Sequence, residues 1–148
     1  MSDRHSLTPA TFIILIKDKQ VLLSRRFNTG YRDGEFGLPS GHVEKDETPR
    51  EGAIREAKEE IGIDVKIENL EFGTHMYRLP ENGPFWVDWY FICRKWEETP
   101  INAEPHKCSE VTWFDINNLP ENTIPYVKEA IHLSLKGIPY SEWTWDKY

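Results

Sequence analysis

The sequence has few cysteines, few basic residues and no long apolar run. Two cysteines, Cys93 and Cys108, stand in 148 residues. That excludes a disulfide framework and gives no paired-cysteine zinc spacing. A reducing, cytoplasmic setting is the expectation. The apolar run FIILI (12–16) is far too short to cross a bilayer, which needs about 20 residues. The first ten residues, MSDRHSLTPA, are polar and lack the apolar core of a secretion signal. No membrane partner is expected. Basic residues number 18 against 25 acidic ones, for a net charge of −7. The sequence pI is about 5.3. A broad surface for extended nucleic acid needs clustered Lys and Arg, so it is excluded. No internal repeat or low-complexity tract occurs. What remains is globular: 39% hydrophobic, 29% charged, with ten prolines and nine glycines. That composition and length fit one domain spanning 1–148 with a core of its own.

The pattern of apolar residues and breakers sketches the elements. TFIILIKDKQVLLSRRF (11–27) reads as two strands joined by a tight turn at Lys-Asp-Lys-Gln. Residues 28–42 are rich in Gly, Asn, Asp and Pro and read as loop. A helix follows over 49–61. Thr48 caps it, Pro49 suits its first position, Glu51 completes a capping box and Gly62 ends it. Residues 63–78 read as two short strands, 84–96 as one long buried strand and 110–116 as another strand. IPYVKEAIHLSL (124–135) reads as a second helix, with Ile124, Val127, Ile131 and Leu135 on one face, ended by Gly137 and Pro139. Strand runs flanked by helices predict an α+β fold, with a mixed sheet layered between helices.

The first helix poses a charge problem. On a helical wheel Ala53, Ile54, Ala57 and Ile61 share a core-facing stripe, while Glu56, Glu59 and Glu60 converge on another patch. Like charges at such spacing destabilise a helix. A hard divalent cation relieves them, because Mg²⁺ takes oxygen ligands and keeps waters and substrate phosphates in its shell. A glycine-rich loop just upstream fits phosphate chemistry. On an arbitrary helix, the same acids would more often be a solvated face.

The spacing decides between these readings. Gly41 is followed after five residues by Glu47, and after seven more by Arg55-Glu56-Ala57-Lys58-Glu59-Glu60-Ile61-Gly62-Ile63. This resembles the Nudix box, G-x5-E-x7-R-E-U-x-E-E-x-G-U with U apolar, at every specified position. The chance of that at a given start is on the order of 10⁻⁹ from average residue usage. The approach FGLPSGHVE (36–44) is similar to the family's L-P-G-G-x-x-E, with Ser40 in place of the first glycine.

The resemblance implies a Nudix α/β/α sandwich and a divalent-metal-dependent pyrophosphohydrolase, with Mg²⁺ or Mn²⁺ as cofactor. It implies that Glu56, Glu59, Glu60 and the Ser40 carbonyl hold metal. Glu47 and Arg55 then pair to fix the loop on the helix beside Gly41. The proton acceptor in hydrolysis varies across the family, and Glu56, Glu59 and Glu104 are the candidates. Arg26 is the strand-end arginine placed to meet a phosphate, and Phe27, Tyr31 and Asn122 are candidate base contacts. Six tryptophans are many for this length, and one of them could stack on a base. His42, His75 and His106 have no metal-type spacing. Tyr77 and Pro80 fall together where the family's substrate preference is sometimes read, so that clue is ambiguous. Three functions follow from the resemblance. One is hydrolysis of a (d)NTP or oxidised (d)NTP to monophosphate and pyrophosphate. Another is hydrolysis of ADP-ribose or a similar nucleotide sugar. The third is a non-catalytic module of the same fold that binds a nucleotide or a protein. The expected partner is a small nucleotide, and the expected assembly a monomer or homodimer.

Overall fold

The computed structural model describes residues 4–145. Residues 1–3 and 146–148, the start of the polar N-terminus and the end of the aromatic tail, lie outside the described residues. Among the described residues, eight strands and two α-helices make a layered α/β/α arrangement. In chain order they are β1 (Thr8–Lys17), β2 (Gln20–Arg26), β3 (Phe36–Gly37), β4 (Ser40–His42), α1 (Pro49–Ile61), β5 (Leu70–Arg78), β6 (Trp86–Cys93), β7 (Cys108–Asp115), α2 (Pro125–Leu135) and β8 (Tyr140–Trp143). The sheet is mixed. Its path runs β3-β2-β1-β6-β5-β8, with β4 also paired to β1 and β7 to β2.

The FIILI run is apolar throughout because β1 is buried on both faces. Phe12, Ile14 and Ile16 pack with Val127, Ala130 and Ile131 of α2. Ile13 and Leu15 pack with Ala53, Ala57 and Ile61 of α1. A fully buried side chain of this size contributes about 1.5–3 kcal/mol. Alternation along β1 thus divides one hydrophobic run between two cores.

One detail of the sheet opens the site. β1 and β2 pair antiparallel only at Ile16↔Val21 and Lys17↔Gln20. Beyond that β2 turns away to pair with β7, from Gln20↔Asp115 to Arg26↔Cys108. β4 takes the vacated edge of β1, through Ala10↔His42, Thr11↔Gly41 and Phe12↔Ser40. On its other edge β1 runs parallel to β6 from Thr8↔Trp86 to Leu15↔Cys93. The splay between β2 and β1 leaves room for a cavity whose floor is β4 and the adjoining face of α1.

The structure corrects several boundaries. Residues 28–42 are not all loop, since β3 and β4 lie within them. Residues 63–78 do not form two strands. Asp64 makes an isolated bridge to Glu97, a 3-10 turn covers Ile67–Asn69, and a single strand, β5, follows. The 84–96 strand shortens to Trp86–Cys93, and the tail contributes β8, which pairs parallel with β5. α1 has the expected limits. The Thr48 hydroxyl accepts from the Glu51 N–H at 3.2 Å, and the Glu51 carboxylate accepts from the Thr48 N–H at 2.9 Å. Gly62 ends the helix in the left-handed region at φ 70°, where an L side chain is strained.

Candidate active site

A cavity of about 1130 Å³ opens at the splay, and Ser40, Gly41, Arg55, Glu56, Glu59, Glu60 and Glu104 line one end of it. Arg55 organises this end. Its Nε donates to Glu47 Oε2 at 3.0 Å and its Nη2 to Glu47 Oε1 at 2.7 Å, a bidentate pair. Nη2 also donates to the His42 carbonyl at 3.1 Å, which ties β4 to α1. Nη1 reaches Glu56 Oε1 at 2.8 Å and Glu59 Oε2 at 3.3 Å. The Arg55 guanidinium holds the Glu47 carboxyl below the usual carboxylate range. Gly41 is glycine for want of space: a Cβ there would collide with the Glu56 carboxylate.

The other acids are strained electrostatically. Burial pushes the Glu56 carboxyl up despite Arg55, and Glu59 and Glu104 add to the rise. Glu60 is pushed well up, first by burial and then by Glu56, with a smaller rise from Glu104. Its carboxylate Oε2 accepts from the Ser40 N–H at 2.7 Å. Ser40 lies within a strand, in register with Phe12, and is not at positive φ. Serine therefore serves where the motif has glycine.

Among the described residues, no three Asp, Glu, His or Cys side chains already converge as a metal-binding group. Arg55 Nη1 sits between Glu56 and Glu59, and Glu60 is turned toward Ser40. The donor chemistry still fits a hard divalent cation. Glu56, Glu59, Glu60 and Glu104 offer carboxylate oxygens to the cavity, and the burial and mutual repulsion that raise Glu56 and Glu60 are what a cation relieves.

The remaining expected residues divide. Glu104 lines the cavity, with its N–H bonded to Asn102 Oδ1 at 3.2 Å. Arg25, Arg26 and Lys107 line it as well. Arg26 is braced by Nε to the Tyr31 carbonyl at 2.7 Å and Nη2 to Thr29 Oγ1 at 3.0 Å. The structure does not bring Phe27 or Asn122 to the cavity. Phe27 is half exposed and outside the lining. The Asn122 amide is spent on the Gly34 carbonyl at 2.9 Å. A β-bulge at Arg25/Arg26 explains the first, since it re-aims the end of β2. Pro80 lines the cavity, whereas Tyr77 does not and lies 3.3 Å from His5 Nε2.

The other end of the cavity holds two of the six tryptophans, the residues from which a base-stacking ring is expected, beside an arginine that spacing does not single out. Arg78, Trp86, Tyr126 and Trp145 line it. The one signal in the sequence is Asp88, a lone acid inside FWVDWYF (85–91), which demands a buried cation. The register Arg78↔Trp86 and Met76↔Asp88 brings Arg78 to it, and strand pairing is not readable from spacing.

Comparison with known proteins agrees with this geometry. The NUDIX domain family model matches residues 6–133. The chain is 33% identical over 132 residues to an ADP-ribose pyrophosphatase of Methanocaldococcus jannaschii, covering 84% of this chain and 73% of that protein. It is 25% identical over 129 residues to the 8-oxo-dGTP diphosphatase of Escherichia coli K12, covering 87% and 95%. An RNA pyrophosphohydrolase of Pseudomonas putida is 38% identical over 153 residues, covering 100% and 81%. The fold matches the crystal structure of a MutT NUDIX hydrolase from Burkholderia pseudomallei with TM-score 0.80 at 22% identity, over 87% of this chain and 98% of that one. The family match over most of the chain, the shared fold and the Glu47–Arg55-braced acids together place this protein in the Nudix hydrolase family.

Proposed function

We propose that this protein hydrolyses the pyrophosphate bond of a (d)NTP, standard or oxidised, to a monophosphate and pyrophosphate, with Mg²⁺ or Mn²⁺. The observation that carries the reading is a cavity lined both by the carboxylates Glu56, Glu59, Glu60 and Glu104 and by the rings of Trp86, Tyr126 and Trp145. That is the layout for a phosphate chain and a base. Glu56, Glu59 and Glu60, with the Ser40 carbonyl, would hold the metal, which supplies charge neutralisation and acidifies a water. Arg26 and Lys107 lie on the cavity wall to meet phosphate oxygens. A carboxylate of Glu56, Glu59 or Glu104 takes the proton as water oxygen bonds to phosphorus. The α–β anhydride P–O bond breaks on the opposite side, and the bridging oxygen leaves with the other half of the substrate, so the products are the monophosphate and pyrophosphate. Positioning and preorganised charge supply most of the rate.

A second reading, hydrolysis of ADP-ribose or another nucleotide sugar, is favoured by the size of the cavity. At about 1130 Å³ it exceeds the usual range for small-ligand sites, and a relative of that activity aligns over most of the chain. A panel of (d)NTPs, oxidised (d)NTPs and nucleotide sugars, with products separated by chromatography, tests both. Monophosphate plus pyrophosphate supports the first reading. AMP plus ribose 5-phosphate moves the protein to the second. No turnover of any member, with the fold intact, overturns the hydrolytic assignment for that panel.

A further inference from the structure

The aromatic end of the cavity contains a charged group that phosphoanhydride hydrolysis does not use. Arg78 is 4% exposed, yet it lines the cavity. Its Nε donates to Asp88 Oδ2 at 2.6 Å and its Nη2 to Asp88 Oδ1 at 3.1 Å. Asp88 is itself 0% exposed. The guanidinium carbon lies 4.8 Å from the ring centroid of Trp86 and 4.0 Å from that of Tyr126. The side chain is thus fixed in position and direction before any ligand arrives.

A guanidinium carries five N–H donors in a planar fork. Asp88 takes two, both on the Nε–Nη2 edge. The two hydrogens of Nη1 and the second of Nη2 meet no acceptor among the described residues. Arg78 is not among the fully buried groups left without a partner, so these donors face the cavity, where a ligand or water accepts from them. Asp88 also cancels the charge locally, so the free end-on edge acts as a directional pair of donors rather than as an anion trap. The acids and the uncommitted Lys107 lie at the other end, where the phosphates belong.

We infer that Arg78 is a specificity-determining residue that reads the substrate's base, and that the base it selects is a 6-oxopurine of the guanine type. Guanine presents O6 and N7 as adjacent acceptors, the pairing that an arginine fork matches with two bonds. Adenine places an amino donor beside N7, so one N–H of the fork would face another N–H. Uracil and thymine offer no adjacent pair of acceptors, because N3–H separates O4 from O2, and the selection inferred is the one between the two purines. The aromatic rings beside Arg78 supply apolar walls for a flat ring lying in its plane. The inference rests on the reading that a nucleotide occupies this cavity, and it adds the base and the residue that chooses it.

The test is binding, which needs no turnover. Trp86 and Trp145 line the cavity, so tryptophan fluorescence reports titration with GMP, IMP and AMP in the presence of Mg²⁺. GMP and IMP are expected to bind at least about tenfold more tightly than AMP, in line with one bidentate base contact. In Arg78→Lys the ratio should fall to within about twofold. Because that change strains the buried pair, the double variant Arg78→Met/Asp88→Leu provides a second measurement, replacing both charges by apolar groups of similar volume. Circular dichroism verifies that each variant is folded. Equal affinity of the wild type for AMP and GMP overturns the inference, as does a ratio that survives in both variants or a failure of the wild type to bind any of the three. A protein that hydrolyses no triphosphate but shows an Arg78-dependent preference for GMP loses the proposed function and keeps this inference. One that hydrolyses every (d)NTP alike and shows no such preference does the reverse.

Discussion

Arg55 makes contacts that few single residues make. It closes a bidentate pair with Glu47, holds the His42 carbonyl and lies against Glu56 and Glu59. Glu47→Gln keeps the shape and removes the charge. With both groups mostly shielded, at 25% and 14% side-chain exposure, the loss is expected to be about 2 kcal/mol at neutral pH. Its pH dependence has a definite sign. The folded carboxyl titrates below its ordinary value of 4.5. The stabilisation is therefore present above about pH 4.5 and is lost as pH falls through the lower, folded value. Urea melts from pH 3 to 7 should show wild type and variant diverging above that point and converging below it. Glu59→Gln tests the chemistry instead. It should lower kcat by at least about a hundredfold, the scale for losing a group that stabilises transition-state charge, while the melting temperature of the metal-free protein stays unchanged or rises as a repulsion is removed.

At the scale of elements, α1 was the most legible part of the chain. Its cap, first proline, core stripe and terminal glycine are local features, and local features can be read from spacing. Thr48→Ala should cost about 1 kcal/mol in chemical denaturation by removing the capping hydroxyl. Gly62→Ala should cost about as much, because φ 70° strains any Cβ. The acids at 56, 59 and 60 were legible for the same reason. β3, β4 and β8 were not. They are two, three and four residues long, too short for alternation to register, and they exist because a neighbouring edge pairs with them. Arg78 was hidden for a related reason, since its partner Asp88 and its neighbour Trp86 reach it only through the β5–β6 register. Asn122 shows the limit of spacing for a polar side chain near the site, since its Nδ2 donates to the Gly34 carbonyl, a contact that spacing does not reveal.

At the scale of the molecule, the net charge of −7 and the carboxylates on the cavity wall favour cations over anions near the protein. Mg²⁺ at a hundredfold excess over its Kd should stabilise the fold by about 2.7 kcal/mol. That corresponds to a rise of roughly 5–10 °C in Tm for a chain of this size. Differential scanning calorimetry with and without Mg²⁺ measures it, and Glu59→Gln should shrink the shift. Among the described residues no helix is long and apolar enough to cross a membrane. The same acidity disfavours long polyanions unless a metal bridges them.

The parallel pairing of β1 with β6 also governs how the chain is made. β1 leaves the ribosome well before β6, since its partner register begins at Thr8↔Trp86. At about 5–20 residues per second, several seconds pass before that partner is synthesised. Until then FIILI can pair with β2 and β4 and meet α1 on one face, while its β6 edge and the face that α2 covers stay open. A nascent chain stalled before Trp86 should therefore recruit holdase chaperones to residues 12–16, and one released after α2 should shed them.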